Sequence, residues 1–198
     1  MTTLNITTEL DAINIMLSVI GESPINSLSD LLTADAATAR NVLAEVSKAV
    51  QSKGWNFNRE NAYPFTPDTN TKQIAIPPNF IYVEPLDIKR DIAIRGNKLY
   101  DKDNHTYAFD DSFKANVIQI LNYNELPEQA RYYIAIRASR IFQTRILGSD
   151  TLYKFSQEEE YQAKAELLRY DNRMGNRSYL NPRPNIIQKW HPAKALLR

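Results

Sequence analysis

LPEQARYYIAIRASRIFQTRILGSDTLYKFSQEEEYQAKAELLRYDN, residues Leu126 to Asn172, holds two runs at helical spacing separated by one short turn. Pro127 pre-sets a first-turn dihedral, Glu128 complements the positive N-terminal end, and Arg145 sits in the last turn before Gly148. Gly148, Ser149 and Asp150 form the turn. Ala130, Ile134, Ala138 and Ile141 recur on one face of the first helix, and Phe155, Tyr161, Ala165 and Leu168 recur less cleanly on the second.

The two runs carry opposite charge. Arg131, Arg137, Arg140 and Arg145 against Glu128 give the first +3, whereas six acids against Lys154, Lys164 and Arg169 give the second −3. Folding back about Ser149 brings Arg140 level with Glu158 and Ala130 level with Leu168. The expectation is an antiparallel helical hairpin flanked by an Arg140–Glu158 ion pair, within the subunit or between subunits.

Two further helices precede it. ELDAINIMLSVI is capped by Thr7 or Thr8, stopped by Gly21 and Pro24, and buries Leu10, Ile13, Leu17 and Ile20. The connector SPINSLSDLLT is apolar enough to pack on the body. A second helix runs from near Asp35 to Gly54, with Ala39, Val42, Val46 and Ala49 as a narrow seam that admits a close neighbour. Gly54 reads as a left-handed cap, with Trp55 folding back onto the last turn.

Between Asn58 and Tyr123 the period changes. Prolines at 64, 67, 77, 78 and 85 punctuate short apolar runs such as QIAI, FIYV and VIQIL. IAIRGNKLYD, residues 92–101, reads as a hairpin turning at Gly96 and Asn97, and TYAF and NVIQIL read as two further strands. The fold class is therefore α+β: an antiparallel four-helix bundle (1–57 and 124–174) with an inserted small antiparallel β domain (58–123) and an extended C-terminal arm (175–198).

The arm is distinct in charge. No acid follows Asp171, while Arg173, Arg177, Arg183, Lys189, Lys194 and Arg198 add six cations to a preceding body of net charge −5. Ile186, Ile187, Trp190, Leu196 and Leu197 place apolar anchors along it, as in a segment that orders on a partner.

Catalytic chemistry is poorly supplied. The chain has no cysteine, so disulfides, thiolate metal sites and a cysteine nucleophile are excluded. His105 lies in a polar turn and His191 in the arm, and no phosphate-binding loop, HExxH or GxSxG occurs. DKDNHTYAFDD lacks the bend glycine and closing glutamate of a calcium loop, so its aspartates read as turn formers. Neither a cofactor nor a metal is expected. Glu158, Glu159 and Glu160 raise a glycosidase alternative, but consecutive helical residues diverge, so one at most enters a cleft. Tyr179 and Trp190 on the basic arm raise a DNA-binding alternative. No apolar run reaches the ~20 residues needed to span a bilayer, and the N-terminus carries no signal pattern, so assembly in a host cytoplasm is expected.

ELDAINIMLSVIGESPI, VQSKGWNFN, RGNKLYD followed by TYAF, and YNELPEQARYYIAIRASRIFQTRILGSD with its QEEEYQAKAELLRYD continuation together resemble the tail tubular protein A family of short-tailed phages (podoviruses). The resemblance covers the body to about Asp171. It implies a dodecameric ring joining the portal to the nozzle protein, tail tubular protein B, with tail fibres attached nearby and genome DNA passing through the lumen during ejection. It also implies that the arm embraces the portal, with Arg183, Ile186, Ile187, Lys189, Trp190, Lys194, Leu197 and Arg198 as contacts. The competing expectation is a tail-associated peptidoglycan or polysaccharide hydrolase.

Overall fold

A computed structural model describes residues 7–29, 33–148 and 150–175, with the side chains of 150–156 excepted. The portal-contact residues expected on the arm, and His191, lie outside the described residues. Four helices and small antiparallel sheets make the chain α+β. Helix α1 spans Glu9–Ser18, α2 Ala34–Gln51, α3 Glu128–Leu147 and α4 Asp150–Met174.

Thr8 is the cap of α1. Its hydroxyl accepts from the Asp11 amide and the Asp11 carboxylate accepts from the Thr8 amide, a reciprocal capping box. Thr33 caps α2 in the simpler way, accepting from the Ala36 amide at 3.2 Å. The connector after α1 is tied down by Asn14, whose side chain donates to the Ile25 carbonyl at 3.0 Å and accepts from the Ile25 amide at 2.9 Å. Ile25 and Leu28 then pack against the helical core, as their apolar character requires.

Helix α3 is the hub. It packs against α1, α2 and α4, and its burial runs almost all round the helix, taking in Ala130, Tyr133, Ile134, Ala135, Ile136, Ala138 and Phe142. A helix with no wet face must be covered on several sides, so the single stripe read from the sequence understates it. Gly148 closes α3 in the left-handed conformation, φ 60° and ψ 24°. On α2 the expected seam holds at Ala39, Val42 and Val46, but Val50 rather than Ala49 continues it, because a straight helix drifts by 3.6 residues per turn.

Helix α4 departs furthest from expectation. Ala163 and Leu167 enter the core, whereas Tyr161 is 71% exposed and Leu168 43% exposed. The inward face is 160-163-167-171, and the more apolar stripe faces out.

Strands β1 (Arg59–Phe65), β5 (Phe113–Gln119) and β2 (Phe80–Pro85) form an antiparallel sheet in the order β1-β5-β2, and β3 (Ile92–Arg95) pairs with β4 (Lys98–Asp101) as the expected hairpin. Gly96 supplies the positive φ of the turn. Strand β1 was not legible from the sequence: Pro64 interrupts it, and Asn61 and Ala62 bulge opposite Asn116. Both devices suit an edge strand, which is where β1 lies. TYAF is not a strand; it makes only isolated bridges, Asp101 with Thr106 and Gln73 with Ala108. A second apolar core, around Phe65, Ile74, Leu99, Phe113 and Val117, fills this part of the molecule.

A buried polar joint links the two cores. Fully buried Gln51, at the end of α2, donates to the Ser47 hydroxyl and to the Leu121 carbonyl and accepts from the Leu121 amide at 2.8 Å. Fully buried Asn58 donates to the carbonyls of Gln51 and Gln119, both at 2.9 Å. Asp171 of α4 accepts from the Asn56 amide at 2.6 Å and from its side chain at 2.8 Å. Gly54 passes so close that a Cβ there would lie 2.5 Å from Ile118 Cδ1, and its φ of +70° is left-handed. Trp55 is 7% exposed and its indole donates back to the Val50 carbonyl at 2.7 Å. Replacing Trp55 with Ala is expected to cost about 3 to 5 kcal/mol, as for a buried tryptophan. Denaturant melts of the two proteins check this, and an unchanged midpoint would place the indole outside the core.

Candidate interaction site on the third and fourth helices

The charge rows of α3 and α4 do meet, at a different residue from the one expected. Arg137 Nη1 donates to Glu160 Oε1 at 2.6 Å, and Arg140 Nε donates to Glu160 Oε2. Glu158 is exposed and accepts from the Gln162 amide at 3.2 Å along its own helix. Two residues along a helix rotate the side chain by about 200°, so the hairpin register that levels Arg140 with Glu158 points Glu160 inward and Glu158 outward. Glu160 belongs to the inward stripe with Ala163, Leu167 and Asp171.

The pair is desolvated enough to matter. Glu160 retains 10% of its side-chain exposure, Arg140 15% and Arg137 34%. Tyr133 donates no charge but shares the seam, its hydroxyl accepting from Arg137 at 3.4 Å, and burial raises its phenol above the ordinary range. Burial also pulls the Lys53 ammonium down, helped by the cations of Lys164 and Arg137 and opposed by Glu160. Tyr132 reaches Glu159 at 3.3 Å on the flank. Two further long-range pairs lie nearer the surface: Arg145 grips Glu45 with two bonds of 2.9 Å, and Arg40 meets half-buried Glu9 at 3.0 Å. Pairs of that kind contribute about 0 to 1 kcal/mol.

The three consecutive glutamates diverge as helical geometry requires. Glu160 alone turns inward, and two guanidiniums hold its carboxylate. A different set of carboxylates does line a groove, in the β region: Asp87, Asp101, Asp103, Asp110 and Asp111, beside Arg90. Their chemistry is the reverse of what a general acid needs. Asp101 is held low by the amide and side chain of Asn104, and Asp111 by the Arg90 guanidinium, which meets it at 2.6 and 2.7 Å. Asp101 also accepts from the Asp103 amide, so the stretch 101–104 is the Asx-type turn expected of it. His105 sits in this exposed turn at φ 52°. Among the described residues no group of three or more His, Cys, Asp or Glu side chains is arranged to hold a metal ion, and no helix is long and apolar enough to cross a membrane.

The described residues thus form a helical hub with a paired-charge seam, small antiparallel sheets and outward apolar side chains on α4. The family model for tail tubular proteins matches residues 10–177. The chain is also 30% identical to tail tubular protein A of Klebsiella phage KP34 over 164 residues, covering 81% of this chain and 85% of that protein. It belongs to the tail tubular protein family and is a component of a bacteriophage virion tail.

Glu160→Gln is expected to destabilise the fold by about 1 to 3 kcal/mol, because it removes the buried carboxylate that half-buried Arg137 and Arg140 share. Glu158→Gln should change stability by less than about 0.5 kcal/mol, as at an exposed site. Paired denaturation curves separate the two, and equal effects would contradict the inward assignment of Glu160.

Proposed function

We propose that this chain is a ring-forming adaptor that joins the portal to the nozzle protein, tail tubular protein B, of a short-tailed phage. Its lumen forms part of the DNA ejection channel, and tail fibres attach nearby. The observation that carries the reading is membership of the tail tubular protein family across residues 10–177. The fold suits the task. Helix α3, covered on three sides, gives a stiff frame, and the outer faces of α2 and α4 stay free for neighbours.

In this reading 1–57 and 124–174 act together as an antiparallel four-helix bundle, 58–123 is an inserted β domain, and 175–198 is an arm. The ring is dodecameric. Subunits in a closed ring contact head to tail, so each presents two different faces. The arm supplies the portal contact through Arg183, Ile186, Ile187, Lys189, Trp190, Lys194, Leu197 and Arg198, cations and apolar anchors alternating along it. DNA passes the ring without being read, which needs no base-specific site.

Electron microscopy of the purified chain mixed with its portal is expected to show rings on one end of the portal. Dispersed protein in the presence of portal would contradict the reading. Deleting Asn185 to Arg198 should weaken docking on the portal while the helical circular-dichroism signal of the body is retained. Undiminished docking by the truncated chain would remove the arm from the portal contact.

A further inference from the structure

Helix α4 carries two stripes, and only one is used within the chain. Glu158, Tyr161, Ala165, Leu168 and Asn172 recur at spacings of three, four, three and four along its outer side. That is the spacing of a helix-packing seam. Tyr161 is 71% exposed and Leu168 43% exposed, two large apolar groups seven residues apart on one face of the helix. Helices α2 and α4 both pack on α3, so their outer faces form separate surfaces of one subunit.

We infer that the outer stripe of α4 docks antiparallel on the outer face of α2 in a second copy of this chain. This rests on the ring reading and names its contact surfaces. Three features of α2 select it as the occupant. Its solvent face repeats the same spacing, through Ala34, Ala37, Asn41, Ala44 and Lys48. Antiparallel alignment sets Tyr161 against Ala44 and Leu168 against Ala37, so each large side chain meets a small one and the axes can approach to the usual 8–10 Å. The same register sets Glu158 against Lys48, both exposed, and brings Arg169 toward Asp35 at the other end. A parallel alignment loses both charge matches. Because the two faces differ, a head-to-tail arrangement leaves one of each open on every added copy, so the contact propagates until the rotation closes.

The chain has no cysteine, so introduced pairs report cleanly. Full-length chain carrying Ala44→Cys and Tyr161→Cys is assembled on portal, rings are verified by electron microscopy, and mild oxidation or a short bis-maleimide is applied. A covalent ladder of multimers is expected, and likewise for Ala37→Cys with Leu168→Cys. The off-register pair Ala37→Cys with Tyr161→Cys, shifted by about 10 Å along the helix, should give none. Ala44, Tyr161 and Leu168 are exposed and Ala37 is half-buried, and circular dichroism verifies that each variant folds. Rings that give no ladder from either matched pair, or the same ladder from the off-register pair, overturn the docking mode and leave the ring reading standing. Absence of rings in the unmodified chain overturns the ring reading and this contact with it.

Discussion

Two guanidiniums on α3 point into the seam with α4, and Glu160 holds both. That carboxylate, 10% exposed, ties two positions of α3 to one of α4, and removing one partner of such a pair is costly. With it, α3 is covered by α4 on one side and by α1 and α2 on the others, and the helical core closes. Fixing Glu160 inward also fixes what faces out. On a helix with Ala163 and Leu167 directed at the core, Tyr161 and Leu168 have nowhere to go but the surface.

The β region is held to that frame by polar contacts rather than by a continuation of the apolar core. Gln51 and Asn58, both fully buried, use backbone carbonyls and an amide at Leu121, Gln119 and Gln51 itself to fix where the chain leaves and re-enters the helices. Asp171 adds a clamp from α4 onto Asn56. Buried hydrogen bonds of this kind contribute modestly when made and cost about 1 to 3 kcal/mol when one partner is removed, so they define geometry sharply. The consequence for a tail component is a β insertion in a fixed position on the helical frame.

Much of this was legible in the residues. Helix ends followed from Thr8 and Gly148, the hairpin at Gly96 followed from turn chemistry, and the aspartate-rich turn at 101–104 followed from the absence of a calcium-loop pattern. Three features were hidden for separate physical reasons. Strand β1 carries a proline and a bulge, which erase alternation while serving an edge. The joint uses amide side chains whose partners lie 61 and 70 residues away, beyond any local period. On α4 the apolar pattern pointed to the wrong face, because a sequence shows which side chains avoid water without showing whether the neighbour belongs to the same chain. Within the subunit, Arg140 likewise meets the carboxylate two residues beyond Glu158, that of Glu160.

In the ring proposed above, the apolar stripe that α4 leaves outside the helical core is the surface that meets the next subunit. The most direct measurement is a reconstruction of the intact virion tail at side-chain resolution. The account predicts a ring of this chain beside the portal, with Tyr161 and Leu168 of each copy buried against α2 of the next. A ring in which those two side chains remain in solvent, or a tail in which the chain forms no ring, would contradict it.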